Sequence, residues 1–180
     1  MSDARSDSTS RIQRRVWGAG TGRTLRPIWT LIELGLEFDV EEIATRTDDM
    51  DRRDFKALSQ RNKIPLYQED DFVIGESAAI CLYLADAHRE RLALAPPPTS
   101  RLRAQHDELC FYAMTEMDAI LYTIRRHEGL PEVYGEAENA VLAARAYFLR
   151  AAREIEVRLR DDRPHLMGDE FTIADLLVKT

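Results

Sequence analysis

Apolar residues come in short bursts along the first half of this chain and in long stripes along the second, with the change near residue 100. The bursts "RRVWG" and "EFDVEEIA" are short, and the second alternates apolar with polar positions, which predicts strands. Between them, "TLRPIWTLIELGL" repeats Leu25, Ile28, Trp29 and Ile32 at helical spacing. Thr24 fits its N-cap, Pro27 its tolerated first turn and Gly35 its stop. "DDMDRRDFKALSQRN" reads as weakly helical and mostly solvated. "KIPLYQ" and "FVIG" flank the acidic turn Glu69-Asp70-Asp71 and predict a hairpin, followed by a helix over "SAAICLYLADAH". The order β-α-β-α-β-β-α describes a compact α/β unit over residues 15–87, preceded by a disordered tail over 1–14.

"RERLALAPPPTS" carries Pro96, Pro97 and Pro98, which cannot sit inside a helix, so residues 88–100 read as a linker. Residues 101–180 are expected to form an all-helical domain. Leu109, Ala113, Met117, Ile120, Leu121 and Ile124 trace one stripe, and Phe148, Ala152, Ile155 and Leu159 a second. The break "LPEVYGE" parts them, and "DDRPHLMGDE" is a loop. In "FTIADLLVKT", Thr172 and Asp175 form a capping box, and Phe171 and Leu176 take the staple positions. This third helix runs about two turns to Thr180, so the helical domain is expected to be incomplete at that end.

The bulk composition narrows the class. With 180 residues, 44% hydrophobic and 32% charged, the chain has the balance of a soluble globular protein. Acidic residues exceed basic ones by 32 to 25, a formal net charge of -7, which argues against a duty on nucleic acid or an anionic membrane. No apolar run approaches a membrane span, and the first residues lack the apolar core of a signal peptide. Cys81 and Cys110 lie far apart within apolar helical patterns and read as core thiols of a cytoplasmic protein. His88, His106, His127 and His165 show no metal-ligand spacing, so no metal is expected.

Two features carry candidate chemistry. Pro65 interrupts a strand pattern. It fits either a trans proline at a sheet edge, or a cis peptide that turns the Ile64 backbone outward to pair with an extended ligand. Glu76 and Ser77 stand where an apolar strand meets an apolar helix. Ser77 there fits a plain cap. It equally fits a receptor for an amino-acid head, with free helix N–H groups for the carboxylate and Glu76 for the ammonium. The glycine-rich "GAGTGRT" fits neither phosphate-binding pattern: the last GxGxxG position is Arg23, and the earlier Walker glycine would be Trp17. Tyr112, Met114 and Tyr122 fit either a pocket lining or a helical core.

Taken together, "NKIPLYQEDDFVIGESAAICLYLADAH" resembles the glutathione-binding segment of the glutathione S-transferases, of the cytosolic bacterial or fungal type. "RPIWTLIELGL" is similar to that family's first helix, and "LMGDEFTIADLL" to the capping-box segment of its helical domain. The resemblance implies a thioredoxin-like N-terminal domain, a helical C-terminal domain and a homodimer. It implies glutathione as co-substrate, with no further cofactor, and a hydrophobic electrophile as second substrate. Pro65 would be the family's cis-proline, Ile64 would pair with the cysteinyl backbone, and Glu76 and Ser77 would hold the γ-glutamyl head. Asn62 and Lys63 would lie near the tripeptide's acidic parts. The family's thiol-activating hydroxyl falls on Gly22 by alignment, so Thr21 and, after it, Thr24 are the candidate catalytic residues. Loss of the hydroxyl leaves a second expectation, a non-catalytic binding or interaction module of the same fold.

Overall fold

The computed structural model describes residues 12–180. It opens with β1 (Arg14–Trp17), α1 (Gly22–Glu33), β2 (Asp39–Glu41), a short 3-10 turn and α2 (Arg53–Leu58), then the hairpin β3 (Leu66–Glu69) and β4 (Phe72–Gly75), and α3 (Ser77–Ala87). The strands form one mixed sheet in the order β2-β1-β3-β4, with β1 parallel to β2 and antiparallel to β3. The tail expected over 1–14 lies largely outside the described residues, but its last positions are ordered. Gln13 exchanges backbone and side-chain hydrogen bonds with Asp70, and Arg14 stands inside β1, paired with Glu69.

Both faces of the sheet are covered. On one face Val16 and Tyr67 join Leu31 of α1 and Ile80, Cys81 and Leu84 of α3 in the main core. On the other, Trp17, Leu66 and Ile43 close over Phe55 of α2, with Ile64 and Val73 packed against them. Burial pushes both thiols up to about 12, so Cys81 and Cys110 behave as inert core residues.

The first helix begins earlier than its sequence suggests. Thr21, extended at φ -129°, is the N-cap, and its Oγ1 accepts the Thr24 N–H at 3.1 Å. Thr24 is therefore the third helical residue rather than the cap. Pro27 lies past the first turn, where its missing N–H leaves the ladder one bond short. Two threonines three apart can each serve as a cap, and Thr21, the one with extended backbone, is the one that does so.

Residues 88–100 do not hang free, since Leu94 and Ala95 enter the main core and the Leu94 carbonyl accepts the Ile173 N–H. The helical part holds α4 (Arg101–Tyr112), a π-helical stretch (Ala113–Asp118), α5 (Ala119–His127), α6 (Pro131–Tyr134), α7 (Glu138–Arg158) and α8 (Ile173–Lys179). The wider π turn shifts the register of the α5 positions after it. Leu109, Ala113 and Met117 are buried as expected, whereas Leu121 is left 46% exposed. The buried face of α7 likewise runs through Val141, Ala144, Ala151 and Ile155, and Leu159 lies outside it. Among the described residues no helix is long and apolar enough to cross a membrane.

Candidate functional site

The cleft between the sheet domain and the helices is built around two helix starts and one loop. The loop is fixed from below by Ser59: its hydroxyl donates to the Lys63 carbonyl at 3.2 Å and accepts the Lys63 N–H at 3.0 Å. Ser59 is 5% exposed, and it holds Asn62 and Lys63 at the surface just before the Ile64–Pro65 peptide, which is cis. Ile64 also touches the first helix through Gly18. A side chain at Gly18 would stand 3.0 Å from Thr24 Oγ1 and 3.1 Å from Ile64 Cβ, so only glycine permits this approach.

The helix start at α3 differs from an ordinary cap. Glu76 occupies the N-cap position at φ 66°, a left-handed conformation costly for a residue with a side chain, and makes no capping hydrogen bond. Its carboxylate points outward instead and pairs with Arg61 at 3.0 Å. Ser77 is the first helical residue rather than the cap, and it is buried. Its Oγ accepts a hydrogen bond from Arg26 Nη1 at 3.2 Å, which leaves the hydroxyl hydrogen free to donate. The helix start thus combines uncapped backbone donors, a serine hydroxyl and a nearby cation, with a carboxylate beside them.

Arg26 is 1% exposed, and a buried guanidinium needs partners for its charge and its five donors. Nη2 donates to Asp118 Oδ1 at 2.9 Å, Nε to Thr180 Oγ1 at 2.9 Å and Nη1 to Ser77. Arg23 shares the same carboxylate, its Nη2 standing 2.5 Å from Asp118 Oδ2. Two cations on one anion leave a net positive charge beside the start of α3, which favours an anionic group there. The π-helical stretch brings Asp118 to this position, and sequence reasoning missed both partners. Only the oddity of Arg26 on an otherwise buried helix face hinted at the pair.

At the start of α1, Thr21 and Thr24 hydroxyls lie 2.9 Å apart. Thr21 is half-buried, while Thr24 is 2% exposed, so only the first reaches the cleft. Gly22, where the alignment put a hydroxyl, has no space for one on its inner side: a Cβ there would meet the Thr180 carbonyl at 2.9 Å. Among the described residues no group of three or more His, Cys, Asp or Glu could hold a metal ion.

A four-stranded mixed sheet of this order, with a cleft against a helical bundle, is the thioredoxin-like fold joined to an all-helical region. The family model for the glutathione S-transferase N-terminal domain matches residues 23–87. Glutathione S-transferase hmp2 of Hypomyces subiculosus is 26% identical over 161 residues, covering 85% of this chain and 74% of that protein. Human glutathione S-transferase theta-2B is 27% identical over 134 residues, and the chain spans about half of it (52%). Among solved structures, a glutathione transferase from Methylococcus capsulatus superposes with a TM-score of 0.77 at 26% identity, covering 92% of this chain and 78% of the other. Residues 23–87 thus match the glutathione S-transferase N-terminal domain, and along most of its length the chain is similar to glutathione S-transferases.

Proposed function

We propose that this protein binds reduced glutathione in the cleft and transfers its thiolate to an apolar electrophile, acting in the cytoplasm as a homodimer. The observation that carries the reading is the start of α3. Its backbone donors are uncapped, Glu76 is held in a costly conformation, and the Ser77 hydroxyl sits beside a buried cation. A zwitterionic γ-glutamyl head matches that arrangement group for group. In this reading residues 15–87 form the glutathione-binding domain and residues 101–180 the helical domain, with 88–100 between them. Ile64 pairs with the cysteinyl backbone beside Pro65, and Asn62 and Lys63 lie near the remaining carboxylate.

The thiol ionises near pH 8.5 when free, so a donor that stabilises the thiolate raises its reactive fraction at neutral pH. Thr21 fills that role. Its oxygen accepts the Thr24 N–H, and its own hydrogen remains available for either Thr24 or a thiolate. The same commitment to the helix cap favours the second reading, a binding module without turnover. Calorimetric titration with reduced glutathione, followed by turnover with a chlorodinitrobenzene, tests both. Saturable one-to-one binding with turnover that Thr21→Ala lowers about tenfold supports the enzyme. Binding without turnover in the wild-type chain supports the module. A folded sample that shows no binding overturns both.

A further inference from the structure

The buried Arg26 side chain is surrounded by acceptors of very different strength. Asp118 Oδ1 accepts from Nη2 at 2.9 Å, and Thr180 Oγ1 accepts from Nε at 2.9 Å. Nη1 carries two hydrogens and has two partners, Ser77 Oγ at 3.2 Å and the Met114 thioether, whose Sδ lies 3.3 Å away. The thioether is the weakest acceptor of the four and holds its share of the cation loosely. A single nitrogen thus joins a serine at the start of α3 to a sulfur in the π-helical stretch.

Met114 differs from its neighbours in two respects. It is partly exposed, whereas Arg26 and Ser77 are buried, so it is the side of this cluster that meets solvent. Among the described residues that bond the Arg26 side chain, only Met114 can be oxidised. Sulfur carries two lone pairs: Arg26 engages one, and the other is free to take an oxygen. The resulting sulfoxide is polar, and its oxygen is a far stronger acceptor than the thioether. Neither Cys81 nor Cys110 competes for an oxidant, because burial pushes both thiols up to about 12 and keeps them protonated.

We propose that Met114 is a redox brake on the glutathione site: a hydroperoxide oxidises it, and the sulfoxide oxygen draws Arg26 Nη1 away from Ser77. This rests on the transferase reading and adds regulation to that same site. The free lone pair of Sδ attacks the terminal oxygen of the peroxide. The S–O bond forms, the O–O bond breaks, and the proton on the transferred oxygen passes to the leaving oxygen, which departs as an alcohol or water. Sulfur gives up two electrons and the peroxide takes them. With Nη1 turned to the sulfoxide, Ser77 Oγ loses the donor that directs its own hydrogen outward, and the cation moves off the start of α3. A methionine sulfoxide reductase reverses the change with two thiols, leaving a disulfide and water.

The test is calorimetric titration with reduced glutathione before and after hydrogen peroxide, with the excess peroxide removed, in the wild-type chain, Met114→Leu and Met114→Gln. Peptide mass spectrometry reports which methionines have gained an oxygen. Oxidation is expected to weaken glutathione binding about tenfold in the wild type, from the loss of one charge-assisted contact, and a sulfoxide reductase restores it. Met114→Leu, compared with its own untreated sample, keeps its affinity although the other methionines remain. Met114→Gln supplies an amide oxygen in place of the sulfoxide oxygen and is expected to bind about tenfold more weakly than the wild type with no oxidant. Unchanged affinity with Met114 oxidised, an equal loss in the leucine variant, or a Met114 that stays intact while Met50 reacts overturns the brake. No binding to the untreated wild type removes the transferase reading and the brake with it, whereas binding that oxidation leaves untouched removes the brake alone.

Discussion

The starts of α3 and α8 are built from similar letters and treated in opposite ways. At α8, Asp175 is 3% exposed and accepts from the Thr172 N–H at 2.9 Å, the Thr172 hydroxyl at 2.9 Å and the Leu166 N–H at 2.7 Å. Every oxygen of that carboxylate has a donor, and the capping box is closed. At α3 the acidic residue is turned outward, no side chain caps the helix, and the backbone is strained. A helix start that spends its acceptors on itself stabilises the fold. One that withholds them keeps its donors for something else.

The contrast breaks most sharply at Asp175. Asp175→Ala strands two buried N–H groups, and a loss of about 3 kcal/mol or more in urea unfolding is expected. A loss below about 1 kcal/mol would put Asp175 in the same class as Glu76. Glu76→Gly is the opposite experiment. Glycine accepts the left-handed backbone, so stability should hold or rise by up to about 1 kcal/mol, while glutathione affinity falls about a hundredfold with the ammonium partner gone. Retained affinity together with lost stability would make Glu76 a structural residue and Arg61 its purpose.

Thr21 stands between the two cases, since it caps its helix and faces the cleft. Thr21→Ala should cost about 1 kcal/mol of stability, as for other N-caps, and lower turnover about tenfold. Thr21→Ser should restore both, and a serine variant that restores stability alone would assign Thr21 to the cap only.

The smallest effect is a pH dependence near α8. His106 is fully buried, and desolvation holds its imidazole below the ordinary 6.5, against the opposing pull of Asp107 and Asp175. The folded chain keeps it neutral where the unfolded chain takes up a proton. Its contribution is therefore complete above pH 6.5 and is lost as pH falls from there through the lowered folded value. Urea midpoints measured downward from neutral pH should fall, and His106→Leu should flatten that slope. Asp107, Arg103 and Cys110 face the same ring, and an unchanged slope would move the titration to His88, whose imidazole is also held low by burial.

Much of this was legible in the letters. The hairpin over Glu69-Asp70-Asp71 formed where its turn residues sit, because such turns are set within a few positions. The Thr172–Asp175 box formed for the same reason, since both partners lie within one helical turn. The start of α1 was misjudged because Thr21 and Thr24 are each competent caps, and a local rule cannot choose between two adjacent solutions. Leu121 was misassigned to the core because a single wide turn upstream rotates every later position.

What the sequence by itself determined is the succession of elements, the fold class and the local chemistry of each helix start, because periodicity, turn residues and caps act over a few residues. What only the tertiary structure decided is what each start faces. Arg26 reaches Asp118 across 92 positions and Ser77 across 51, and Tyr122 meets Arg23 from another helix. Charges couple through space rather than along the chain, so the cationic wall of the cleft existed in no stretch of letters until the helices were packed.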